Sequence, residues 1–150
     1  MFYLKVVNGN LLNATEDYVA HQCNCTSTDA KGLADVLFRA YPHANSYKRR
    51  PPNSEAGSID ICGNGRNKRF VINMYAQFYP SGPRNSDNRK KRLEWFADCL
   101  DLIKVHTTGS VAMPYNIGCG LAGGDWDTYY EMLEDFADRE EVRITLYRIV

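Results

Sequence analysis

No apolar run in this 150-residue chain approaches the roughly 18 residues that a membrane span needs. The first nine residues meet Lys5 and then Asn8-Gly9 too soon for a secretory leader. A cytoplasmic chain with no membrane partner is therefore expected. The five cysteines, at 23, 25, 62, 99 and 119, are odd in number and too sparse for a disulfide scaffold, so free thiols are expected. His21, Cys23 and Cys25 have a metal-like spacing, but no second half of a zinc site follows, and no metal is expected. No glycine loop ends in Gly-Lys-Ser/Thr, which excludes a Walker loop. A dinucleotide fingerprint would follow the first strand, where only Val7-Asn8-Gly9-Asn10 stands. Repeats, low-complexity tracts and linkers are absent, so residues 1–150 are expected to form one domain.

Apolar residues make up 44% and charged residues 24%, which is ordinary for a globular domain and argues against global disorder. Eighteen basic residues balance eighteen acidic ones, whereas a nucleic-acid binder usually has a basic domain. The balance is uneven along the chain. Residues 48–92 hold eleven Lys/Arg against Glu55, Asp60 and Asp87. Runs such as Lys48-Arg49-Arg50 and Arg89-Lys90-Lys91-Arg92 read as solvated faces, with steering of a polyphosphate ligand as the alternative.

Strands are expected at 2–7, 18–25, 57–62, 69–76, 111–113 and 142–150. Gly63-Asn64-Gly65 would turn the third strand into the fourth as a hairpin. Thr28-Asp29 offers a cap for a helix over 30–41, with Leu33, Val36, Leu37 and Ala40 on one face. Pro42 and residues 51–53 mark irregular chain. A loop over 79–87 precedes a long helix to about Lys104 whose Leu93, Phe96, Leu100 and Ile103 keep the helical period. Asp125 can cap a last helix that buries Tyr129, Leu133 and Phe136. Strands alternating with helices predict an α/β layered domain, largely parallel.

The main chemical signal is Ile117-Gly118-Cys119-Gly120-Leu121-Ala122-Gly123-Gly124, between a strand and a helix. Four glycines in seven residues let successive N–H groups turn one way and form an anion nest at the carboxyl end of a strand. Cys119 sits in that nest, where a helix N-terminus can lower a thiol's pKa. The loop has no Arg, so Cys119 reads as a small residue in a crowded turn.

These segments, in this order, resemble the macro domain, the ADP-ribose-binding module, and the resemblance covers nearly the whole chain. Asn8-Gly9-Asn10-Leu11 resembles the opening Gly-Asp-Ile/Leu. Asn24 falls at the ribose-contacting asparagine, and Gly32-Leu33-Ala34 at Gly-Val-Ala. Residues 117–126 resemble the diphosphate-gripping loop, and 142–149 the last strand. The resemblance implies a three-layer α/β/α sandwich around a mixed, largely parallel sheet of about six strands. It also implies an ADP-ribose ligand, no cofactor, a monomer, and nucleic acid only as an ADP-ribosylated substrate.

Within the family, the sequence is similar to the stand-alone ADP-ribose 1″-phosphate phosphatases and to the branch of the terminal ADP-ribose glycohydrolase. That branch's catalytic Asp is Ala122 here, and its catalytic Lys is missing from Ile72-Asn73-Met74-Tyr75. The adenine-contacting Asp is Asn10, whose amide both donates and accepts. The resemblance implies ligand contacts from Gly9, Asn10, Leu11, Asn24, Gly32, Leu33 and Ala34 on the first half. On the second it implies Tyr75, Gln77, Ile117, Gly118, Cys119, Gly120, Leu121, Ala122 and Trp126. His21 and Asn24 are the catalytic candidates, His21 because its pKa class suits acid–base work on a phosphate monoester. The expected activity is hydrolysis of ADP-ribose 1″-phosphate. The alternatives are removal of ADP-ribose from a macromolecule and binding alone.

Overall fold

The computed structural model describes residues 3–49, 55–120 and 122–149. Phe2, Arg50, residues 51–53, Leu121 and Val150, to which the sequence assigned roles, lie outside that set.

The elements run β1 (Leu4–Asn8), β2 (Tyr18–Asn24), α1 (Gly32–Ala40), β3 (Ile59–Cys62), β4 (Val71–Gln77), α2 (Arg89–His106), β5 (Val111–Pro114), α3 (Trp126–Glu140) and β6 (Ile144–Arg148), with short 3₁₀ turns between. They build one six-stranded sheet in the order β1-β6-β5-β2-β4-β3. Every neighbouring pair is parallel except β3 against β4, which is the antiparallel hairpin expected at Gly63.

Alternation along each strand sorts side chains to two faces. On one face Ala20, Ile72, Met74, Met113 and Leu146 pack under Phe96, Leu100 and Ile103 of α2 and Tyr129, Leu133 and Phe136 of α3. On the other face Val19 and Ala112 meet Leu37 of α1, while Cys23, Val71 and Tyr75 meet Phe38. The result is the expected three-layer α/β/α sandwich. Burial of the Val, Leu, Ile, Met and Phe side chains among these contributes about 1.5–3 kcal/mol each.

Two expectations for α1 change. It starts at Gly32 with Lys31 as its cap residue and no side-chain cap, so Thr28 and Asp29 do not start it. Its inner residues are Leu37 and Phe38, while Leu33 and Val36 are 37% and 45% exposed. The helix is only nine residues long and covers the sheet with its last turns. Asp125 does hold the cap position of α3, but its carboxylate accepts from the Thr128 hydroxyl (2.7 Å) and from no backbone N–H. Among the described residues no helix is long and apolar enough to cross a membrane.

Candidate functional site

Three parallel strands, β4, β2 and β5, end side by side, and a cleft of about 480 Å³ opens beyond their carboxyl ends. One wall is the chain after β2, from Asn24 through Ser27, Asp29 and Lys31 to Gly32, Leu33 and Ala34 at the start of α1. The facing wall is the loop after β5, from Pro114 and Tyr115 through Asn116, Ile117, Gly118, Cys119 and Gly120 to Ala122. Gln22, Cys23, Tyr47 and Gln77 form the floor, with Pro80 and Ser81 beside them.

The glycines of the second wall serve different ends. Gly118 has φ +79°, and a Cβ there would stand 2.7 Å from the Tyr129 ring and 3.1 Å from Gln22 Oε1. The fold itself requires that glycine. Gly120 has no left-handed φ, and a Cβ on it would meet nothing within 4 Å among the described residues beyond its chain neighbours. Internal packing therefore gives no reason for glycine at 120, whereas close approach of a ligand to its backbone does.

The floor is tied by an ordered row of amides. Gln77 Nε2 lies 2.8 Å from the Tyr79 carbonyl and 3.5 Å from that of Ser81, and carbonyls only accept. The Gln77 oxygen therefore turns to Gln22, whose Nε2 donates to it at 2.5 Å. A register shift between Gln22 and Asn24 against β4 makes this possible, because it pairs Gln77 with Asn24 and so sets Gln77 on the side of Gln22. Gln22 Oε1 is buried and has no hydrogen-bond partner among the described residues.

Arg92 ties the outer rim. Although it closes a run of basic residues that read as a solvated face, it is 2% exposed. Its guanidinium donates to Asp87 twice, at 2.8 Å each, and to the carbonyls of Tyr79, Ser81, Gly82 and Ala122. Arg89 adds a bond to the Gly123 carbonyl at 3.0 Å. The 79–82 loop and the glycine loop are thus held to one side chain of α2. The sequence signal for this was an acidic residue five positions before an arginine, too weak to separate from surface charge.

Of the sequence-expected residues, Asn24, Gly32, Leu33, Ala34, Gln77, Ile117, Gly118, Cys119, Gly120 and Ala122 line the cleft together. Asn24 Oδ1 accepts from the amides of Thr26 and Ser27, closing the turn that starts the first wall. Gly9, Asn10 and Leu11 do not line it. Leu11 is buried beneath α1, and Asn10 Oδ1 caps a 3₁₀ turn at Leu12 N. Tyr75 points to the α1 side, where its hydroxyl bonds Ser46 and donates to Asp60. Trp126 stands behind the wall against Tyr115, ring centroids 4.8 Å apart.

His21 corrects the expectation of a general acid or base. It is 1% exposed, lies edge-on to Phe38 on the α1 face, and shares a 2.6 Å bond with Asn73 Oδ1. Burial pushes its pKa down to about 4, against a smaller upward pull from Asn73, so the ring is neutral at pH 7 and does not reach the cleft. Burial, then the nearby Asp125 carboxylate, raise the Cys119 thiol to about 11, which leaves no thiolate in the nest. Residues that the sequence did not assign to the site include Gln22, Asp29 and Lys31, the last two being the charged side chains of the first wall. Among the described residues no three His, Cys, Asp or Glu side chains gather as metal ligands.

No family model matches the chain. A curated relative, an uncharacterized 17.5 kDa protein of the tk-vs intergenic region of Enterobacteria phage T4, is 25% identical over 158 residues, covering 94% of each chain. Among solved structures, a protein of unknown function from Bacteroides thetaiotaomicron superposes with a TM-score of 0.77 at 23% identity over 97% of both chains. The macrodomain of Mycobacterium tuberculosis DarG does so with 0.74 at 22% identity over 96% of both. Thermosipho africanus DarTG in complex with ADP-ribose matches with 0.65 at 14% identity over 96% of this chain and 41% of that one. The chain has the macrodomain fold.

Proposed function

We propose that the chain is an ADP-ribose-binding macro domain and that the cleft between the α1 start and the glycine loop holds the ligand. The observation that carries this is Gly120, a glycine that lines the cleft without a strained φ or an internal contact to require it. The backbone N–H groups of Gly118 and Gly120 would meet the diphosphate from one side and the N-terminus of α1 from the other, while the Cys119 N–H is spent on the Asn116 carbonyl at 2.9 Å. Support comes from the shared fold of a protein solved with ADP-ribose bound. Calorimetric titration with ADP-ribose, with AMP and NAD as controls, tests the reading. Saturable binding well above AMP is expected, and no binding would overturn it.

A hydrolytic reading rests on a separate observation: Asp29 and Lys31 share the first wall. On ADP-ribose 1″-phosphate, the Lys31 ammonium would hold the terminal phosphate while Asp29 accepts a proton from the attacking water. The water oxygen bonds to phosphorus, the 1″ P–O bond breaks, the departing 1″ oxygen of ADP-ribose takes a proton from solvent, and Asp29 returns its own proton to solvent. Release of free phosphate from that substrate, abolished in Asp29→Asn, is expected. Binding without release would leave the binding module alone.

A further inference from the structure

A second and larger cavity, about 820 Å³, opens at the other end of the sheet, where β2, β4 and β5 begin. Its lining includes Tyr18, Tyr41, His43, Arg66, Arg69 and Phe70. Two of the basic residues of the chain's middle, Arg66 and Arg69, line it. Arg66 and Lys68 stand exposed on the turn between β3 and β4, which is stiffened by Asn64 Oδ1 accepting from both of their amides. Arg49 reaches the end of β3, its guanidinium 3.7 Å from Cys62 Sγ.

The groove also contains the carboxylates of Glu16 and Asp17, both hydrogen-bonded within the fold, so its lining holds as many carboxylates as Arg side chains and the positive surplus of this end lies on the exposed turn, with Lys68. Glu16 accepts from the Tyr147 hydroxyl at 2.7 Å, and Asp17 accepts from the Ser110 amide and hydroxyl. Arg69 spans the floor, donating to the carbonyls of Asp17 and Ala14. Among the described residues Arg66 makes no side-chain hydrogen bond or ion pair, and it lies at the rim. Flat rings accompany these cations. Tyr18 stacks on Phe70 at 4.9 Å, and Tyr41 meets His43 edge to face at 6.2 Å, all four half-buried. His43 is fixed by a 2.7 Å bond to the Arg69 carbonyl.

We propose that this groove, separate from the cleft, binds a single strand of nucleic acid. Cations on a stiff turn beside half-buried rings suit phosphates and unpaired bases together, and stacking on such rings tolerates any sequence. A small anion would use the cations and leave the rings idle.

The test is fluorescence anisotropy of a labelled oligothymidylate of about 20 nucleotides in about 50 mM salt. Saturable binding is expected, with affinity falling linearly in log salt. The double variant R66E/K68E changes two exposed side chains and should weaken it at least tenfold while leaving ADP-ribose titration unchanged. Saturating ADP-ribose should not displace the strand. Absence of binding, equal binding by the double variant, or displacement by ADP-ribose would each overturn the proposal. Displacement by pyrophosphate at concentrations that act on charge alone, with a duplex binding as well as the single strand, would reduce the groove to an anion patch and also overturn it.

Discussion

Arg92 and Asp87 form a bidentate ion pair, both bonds 2.8 Å, with each side chain no more than 3% exposed. The pair lies beneath the cleft rim, and its surplus donors hold four loop carbonyls. Replacing Arg92 with Met would strand a buried carboxylate and cost about 3–5 kcal/mol. Thermal melting should fall by roughly 2–4 °C per kcal/mol, and ADP-ribose affinity should fall with it because both loops lose their anchor. An unchanged melting temperature would contradict the assignment.

The same pair sets an acid limit. Burial alone would raise the Asp87 carboxyl, but Arg92 and the Tyr79 amide together hold it below its ordinary range. A depressed carboxyl contributes stability that is complete above its unfolded pKa of about 4 and is lost as the pH falls through the folded value. Urea unfolding of wild type against Asp87→Asn should therefore converge only below about pH 4.

His21 acts on stability at milder pH. Its folded pKa of about 4 lies below the unfolded 6.5, so the unfolded chain takes up the proton first. Stability should be full above about pH 6.5 and decline between there and pH 4, by roughly 3 kcal/mol in all. Proton NMR should find the ring neutral throughout pH 5–8. A titration near 6.5 would put His21 back within reach of solvent.

The two cleft glycines should separate folding from binding. Gly118→Ala meets the Tyr129 ring and a left-handed φ, and should destabilise by about 1–3 kcal/mol. Gly120→Ala meets nothing, so its melting temperature should stay within error while ADP-ribose affinity drops at least tenfold. Equal binding by Gly120→Ala would remove the main support for the ligand reading.

These residues also show how much the sequence disclosed. The glycine loop was legible because its composition exceeds what a turn needs, and α2 and α3 because Phe96, Leu100, Leu133 and Phe136 keep the helical period. His21 was misplaced because the sequence shows its place on β2 but not that Phe38 and Asn73 enclose its ring, whereas Cys23 on the same face lies one step nearer the strand's end and lines the cleft. Asn10 and Tyr75 were placed at the ligand by resemblance, and the structure gives each a local or buried role instead, while Gly9 stands outside the cleft lining. Arg92 was hidden for another reason. Its burial depends on carbonyls of two loops far apart in the chain, and carbonyls leave no trace in side-chain identity.

The amide row across the cleft floor runs one way only. Its direction is imposed by the Tyr79 and Ser81 carbonyls, which force the Gln77 amide to donate toward them and the Gln22 oxygen to end the row. If that loop turned its carbonyls away, Gln77 and Gln22 could both reverse, and an acceptor beside Gly118 would become a donor. The backbone of the 79–81 loop thus writes the sign of a dipole at the far end of the floor, so a change at Arg92, which holds that loop without lining the cleft, could invert what the cleft prefers.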